Sequence, residues 1–148
     1  MRYLLVDRIL SLDPGRHAIG LKNVTMSEDF LAHHFPRHPV MPGMLIVEAM
    51  VQLVGWVMAA ERDFQVRTWL QSIQRAKFKR FVRPGDCLRL EVNRLQASDD
   101  QVTFAGRAEV DSQEVTIAEF SVHLMSAQEL EDPATTRAFF RVLMREAD

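Results

Sequence analysis

Residues 33–50, HHFPRHPVMPGMLIVEAM, change texture halfway along. Prolines at 36, 39 and 42 stand among His33, His34 and His38, and Gly43 then opens a run with almost no polar residue. Each proline removes a backbone donor and fixes φ, so the first half is a loop. From Gly43 to about Glu61 there is no proline, and Leu, Met, Ala and Val dominate. That pattern predicts one long helix. It is apolar nearly all the way round, so the rest of the chain must wrap it. Residues 40–60 are long enough to cross a bilayer. Pro42 and Gly43 interrupt the start, however, and a carboxylate at mid-bilayer costs about 2.5–3.5 kcal/mol even on the lenient scale, which argues against a membrane span.

Outward from this helix the chain reads as strands. Tyr3 to Leu10 is rich in strand formers, Asp13-Pro14-Gly15-Arg16 is a turn, and Ala18 to Val24 resumes an extended pattern, a hairpin. Ser27-Glu28-Asp29 can cap a short helical turn through Phe30 to His33. Downstream, strands are expected at Arg67 to Ile73, Ala76 to Val82, Leu88 to Leu95, Val102 to Val110 and Val115 to Met125. Turn residues Arg83-Pro84-Gly85-Asp86, Ala97-Ser98-Asp99-Asp100 and Asp111-Ser112-Gln113 separate several of them. A last helix, residues 132–147, opens with Asp132 as N-cap and Pro133 at its first position, and carries Ala134, Ala138, Phe139, Val142 and Leu143 on one side. Antiparallel strands around a buried helix make an α+β architecture. At 148 residues one domain is expected: a body over residues 1–126 and a C-terminal helical extension over 127–148.

Eighteen basic and twenty acidic residues leave a net charge of −2, which argues against nucleic-acid binding through a strong positive field. Cys87 is the single cysteine, so neither an intrachain disulfide nor a Cys-based zinc site can form, and a reducing cytoplasm fits. Asp7 and Arg8 break the early apolar run, so no export signal is read.

The chemistry is concentrated near the first stretch. Burial penalises a charged carboxyl, and one kept neutral can donate a proton, so Glu48 in the apolar helix is a candidate general acid. Gln52, four residues on, shares its face and can fix its rotamer. The amides around Gly43 have no intrahelical acceptor and favour developing negative charge. His34, on the proline-stiffened loop, suits proton abstraction near neutrality. Acid, base and oxyanion donor together fit proton abstraction beside a carbonyl with loss of a leaving group. The plainer alternatives stay open: a lone helical glutamate can sit at an oligomer interface, and a lone histidine can simply be a hydrogen-bonded loop residue. The histidine cluster could suggest a metal, but prolines prevent a helical presentation and no second ligand cluster follows, so none is expected.

His34-Phe35-Pro36, Pro39-Val40-Met41-Pro42-Gly43, and Leu45-Ile46-Val47-Glu48-Ala49-Met50 with Gln52 resemble the signature of the FabZ-type (3R)-hydroxyacyl-[acyl carrier protein] dehydratases. Ala76 to Arg80 and Pro84-Gly85-Asp86 resemble a second block of that family, and the likeness covers roughly residues 1–126. The resemblance implies a hot-dog fold, working as a homodimer or trimer of dimers, in which His34 of one subunit meets Glu48 of the other. It implies dehydration to a trans-2-enoyl thioester without metal or cofactor. The substrate would arrive on the phosphopantetheine of acyl carrier protein, with its carbonyl held at Gly43. Met41 and Trp69 then become candidate tunnel and gate residues, and Lys77, Lys79, Arg80 and Arg83 candidate docking charges. Glu48 in place of aspartate favours FabZ over FabA-type dehydratase-isomerases. Arg37, where the family commonly has glycine, and the C-terminal helix depart from the pattern and point to a specialised substrate range. A thioesterase and a non-catalytic acyl-binding module on the same fold are the alternatives.

Overall fold

The computed structural model describes residues 3–128 and 130–146. The extreme ends of both expected segments, including Ala147 at the end of the expected last helix, lie outside the described residues. The helix α1 spans Gly43–Glu61. Six strands surround it: β1 Arg8–Asp13, β2 His17–Asn23, β3 Val66–Phe78, β4 Cys87–Ala97, β5 Gln101–Val110 and β6 Gln113–Ser126. They form one antiparallel sheet in the order β1-β2-β4-β5-β6-β3, and a second helix, α2 at Pro133–Met144, closes the chain. The β5–β6 hairpin turns on Asp111 and Ser112, both at positive φ (50° and 62°), the backbone twist that suits a two-residue connection.

Period-two alternation sends Leu88, Leu90, Val92, Phe104, Phe120 and Val122 inward, where they bury Met50, Leu53, Val54 and Val57 of α1. Each such side chain contributes about 1.5–3 kcal/mol by leaving water. The sheet therefore supplies the wrapping that the all-apolar helix requires. By length and composition alone α1 could cross a membrane, but more than half of it is buried in this core. At Gly106 a side chain would come within 2.5 Å of the Met50 sulfur, so β5 needs a glycine to approach the helix this closely.

Three expectations change. The strands expected at Arg67–Ile73 and Ala76–Val82 are one strand, β3, whose register against β6 shifts between Leu70 and Ser72 and again between Ile73 and Arg75. These bulges break the alternation that a single strand would show. The first strand begins at Arg8; upstream, Tyr3 and Leu5 are tied by the Gln52 side chain of α1, while Asp7 still bonds to Leu21 and Asn23 of β2. The expected helical turn is a 3₁₀ turn at Asp29–Ala32 without a side-chain cap. The Glu28 carboxylate instead takes a 2.6 Å hydrogen bond from the buried Lys22 ammonium.

Candidate active site

The loop from His33 to Pro42 is fixed by its own backbone. Phe35 and His38 exchange two N–H···O bonds (3.2 and 3.0 Å), Val40 N–H donates to the His34 carbonyl at 2.9 Å, and Met41 N–H donates to Val82 at 2.8 Å. This closure holds the half-buried His34 ring with Nδ1 2.9 Å from the Val40 carbonyl. A carbonyl only accepts, so Nδ1 carries a proton, and in the neutral ring the lone pair is on Nε2. The Phe35 ring stacks on the imidazole, 4.3 Å between centroids. The His34 ring is thus held in one orientation by its Nδ1 contact.

His34, Met41 and Gly43 line one cavity of about 290 Å³, with Phe78 and Phe81 among its walls. Leu45 and Ile46 direct their amides to the Pro42 carbonyl, while those of Gly43 and Met44, the first two in α1, have no acceptor within the helix. A side chain at Gly43 would strike the Phe78 ring at 2.6 Å, so glycine lets Phe78 lie across the helix start. A shallower cavity of about 590 Å³ shares Val40 and Phe81 with the first and adds Arg37, His38 and Arg83 to its walls.

Glu48 lies elsewhere. Its Oε1 accepts a 3.1 Å hydrogen bond from Gln52 Nε2, as the four-residue spacing predicts, and neither residue lines the His34 cavity. The Gln52 amide also donates to the Tyr3 carbonyl (3.1 Å) and accepts from Leu5 N–H (2.9 Å), so the same residue orients Glu48 and anchors the entering chain. Within one chain His34 and the start of α1, the expected base and oxyanion donors, share a cavity that Glu48, the expected acid, does not line.

Of the remaining expected residues, Trp69 is on the edge strand β3, 55% exposed, against the His123 ring (5.4 Å) and away from the His34 cavity. Lys79 is paired with Glu114, and Arg80 donates to Gln113 while lining the His34 cavity. Lys77 is exposed on β3, and Arg83 borders the outer cavity. His33 and His38 are exposed, and among the described residues no group of three or more His, Cys, Asp or Glu could hold a metal. Sequence reasoning missed Phe78 and Phe81 as cavity walls; the signal was two aromatics flanking the basic run Lys79-Arg80.

Comparison with known proteins matches the FabA-like domain model over residues 1–119. The 3-hydroxyacyl-[acyl-carrier-protein] dehydratase FabZ of Syntrophotalea carbinolica is 46% identical over 120 residues, covering 79% of this chain and 81% of that protein. The FabZ of Granulibacter bethesdensis is 45% identical over 126 residues, 83% of this chain and 74% of the relative. Among solved structures, smu.793 from Streptococcus mutans bound to acetyl CoA superposes with a TM-score of 0.64 at 14% identity, over 85% of this chain and 94% of that one, a likeness of fold alone. The motif that fixes His34, the glycine at the start of α1 and the Glu48–Gln52 pair fall inside the matched span, and the chain belongs to the FabA-like family as a FabZ-type 3-hydroxyacyl-[acyl-carrier-protein] dehydratase.

Proposed function

We propose that the protein removes water from a (3R)-hydroxyacyl thioester carried on acyl carrier protein, giving the trans-2-enoyl thioester, in fatty-acid or related acyl-chain synthesis. The observation that carries the mechanism is the bond between His34 Nδ1 and the Val40 carbonyl, which supports Nε2 as the base on a residue that lines the cavity at the start of α1. Nε2 takes the C2 proton. Charge that develops on the thioester oxygen meets the Gly43 and Met44 amides and the positive end of the helix dipole. Glu48, held by Gln52, gives its proton to the C3 hydroxyl, which leaves as water while the C2–C3 double bond forms. Solvent returns the proton from His34 to Glu48, so the cycle uses only the chain's own groups and no cofactor.

The separation of His34 from Glu48 along one chain supports a homodimer in which each site takes its base from one copy and its acid from the other. A dimer also uses the long edge of β3, which has no neighbour on its outer side in the sheet order. Arg37 and Arg83 at the outer cavity suit the phosphate of a phosphopantetheine arm, with Lys77, Lys79 and Arg80 available to an acidic carrier protein. The exposed Cys87 thiol suits a reducing compartment, the cytoplasm.

The test is incubation with a crotonyl thioester, following hydration and free thiol separately. Reversible hydration is expected, abolished in His34→Ala with the fold intact. Thiol release without hydration would make the protein a thioesterase, and binding without either would make it an acyl-binding module.

A further inference from the structure

The side-chain amide of Gln52 has two chemically opposite ends, and the backbone of residues 3–5 binds both. The Tyr3 carbonyl accepts from Nε2 at 3.1 Å, and Leu5 N–H donates to Oε1 at 2.9 Å. A carbonyl only accepts and a backbone N–H only donates, so this pair of bonds admits one orientation of the amide. Turned by half, it would set oxygen against oxygen and N–H against N–H. The second Nε2 proton is thereby aimed at Glu48 Oε1, 3.1 Å away. Leu5 is 1% exposed, whereas Tyr3 and Leu4 lie at the surface, so the Leu5 donor is fixed in the core just before the first strand begins.

We infer that residues 3–5 are a backbone clamp that positions the acid of the reaction, with Leu5 N–H and the Tyr3 carbonyl as the positioning groups. The inference rests on the dehydratase reading and goes beyond it, since there Gln52 alone holds Glu48. With an N–H facing it, Glu48 Oε1 is the accepting oxygen, and the carboxyl proton belongs on Oε2, free to pass to the C3 hydroxyl. The reversed amide would turn the Gln52 oxygen toward Glu48. That oxygen would repel the ionised carboxyl, or accept the hydrogen bond of the protonated one and so compete with the leaving hydroxyl for the same proton. Both orientations of the amide have the same shape, so packing around Gln52 does not select between them. The selection comes from the polarity of the entering chain. Tyr3 and Leu5 act through Gln52 and touch no reacting atom.

The experiment replaces single backbone amides of the full chain by esters, using nonsense suppression with leucic acid, and follows hydration of a crotonyl pantetheine thioester. Leucic acid in place of Leu5 removes the N–H donor and keeps the buried side chain. In place of the exposed Leu4 it makes the Tyr3 carbonyl an ester carbonyl, a weaker acceptor. The ester at position 5 should lower kcat by about tenfold or more with KM unchanged, the scale of a misplaced reacting group, and the ester at position 4 should lower it by less. Placed in Gln52→Leu, which has no amide to orient, the ester at position 5 should change kcat no further. Parental kcat in both ester proteins, a change confined to KM, or the same fold-loss in the parent and Gln52→Leu backgrounds overturns the clamp while leaving the dehydratase reading in place. If the ester at position 5 prevents folding, the one at position 4 decides the matter by the same criteria. Absence of crotonyl hydration in the parent itself removes the dehydratase reading, and the clamp with it.

Discussion

Gln52 uses every polar atom of its amide: Nε2 donates to Glu48 and to the Tyr3 carbonyl, and Oε1 accepts from Leu5 N–H. Replacing it with leucine keeps the bulk but leaves the Leu5 amide, in a buried residue, without its acceptor. Gln52→Leu should therefore cost about 1–3 kcal/mol in urea unfolding, the usual range for an orphaned buried donor. It should also lower kcat, because Glu48 loses the bond that sets its rotamer. A variant with parental stability and parental kcat would show that neither bond matters. Gly43 gives a contrasting case. In Gly43→Ala the new methyl meets the Phe78 ring, but Phe78 is 49% exposed and free to swing outward, so the thermal midpoint should change little. Catalysis should suffer more, by about tenfold or more, because the displaced ring and the methyl both intrude on the proposed oxyanion position. Restored kcat in Gly43→Ala/Phe78→Leu would assign the effect to that contact. Both residues were legible in the sequence, Gln52 from its spacing to Glu48 and Gly43 from its place at the helix start.

At the level of elements, legibility followed how local the determining interaction is. Both helices were readable, α1 from Pro42 and the long proline-free apolar run, and α2 from Asp132-Pro133, because caps and propensity act within a few residues. β3 was not, since its two bulges exist only relative to β6, some fifty residues away, and its exposed edge leaves no clean alternation. The distribution of the site was legible only through the family resemblance, not from the residues themselves. His34 and Glu48 are each marked by local context, but their assignment to different surfaces of one chain depends on how the loop folds back onto Val82. On the outer face of the sheet, Glu91 sits opposite Arg107 and accepts bonds from His17 Nε2 (3.0 Å), Arg107 (2.8 Å) and Arg89 (3.4 Å). The His17 bond above all, with the two guanidinium groups and against the opposing effect of burial, holds its carboxyl below the usual carboxylate range. A depressed folded-state value means the stabilisation is complete above the unfolded value, about 4.3, and is lost as pH falls through the folded one. Glu91→Gln should thus cost up to about 1 kcal/mol at neutral pH, the scale of a screened surface pair, and nothing once the parent carboxyl is protonated. Urea midpoints of both proteins at neutral and acid pH test this, and a difference independent of pH would refute the charge assignment.

For the whole molecule, the decisive question is whether a working site needs two copies of the chain. Two features favour it: His34 and Glu48, the proposed base and acid, do not share a cavity, and β3 ends the sheet with thirteen residues that include the exposed Trp69 and Leu70. An edge this long, with exposed apolar side chains among its polar ones, is a template for pairing, and a closed two-fold contact is the simplest way to cover it. Complementation between dead variants separates the possibilities. His34→Ala and Glu48→Gln are each expected to lose about a hundredfold or more in kcat. If the two are unfolded together and refolded as an equal mixture, half of the dimers combine one chain of each kind. In such a dimer one site contains both substitutions and the other contains neither, so about a quarter of all sites work under random two-fold pairing. Activity near a quarter of the parent's, absent when the variants are refolded separately and then mixed, is the expected result. A mixture no more active than its components would mean that each chain builds its site alone, and the loop carrying His34 would then have to move toward Glu48 before catalysis.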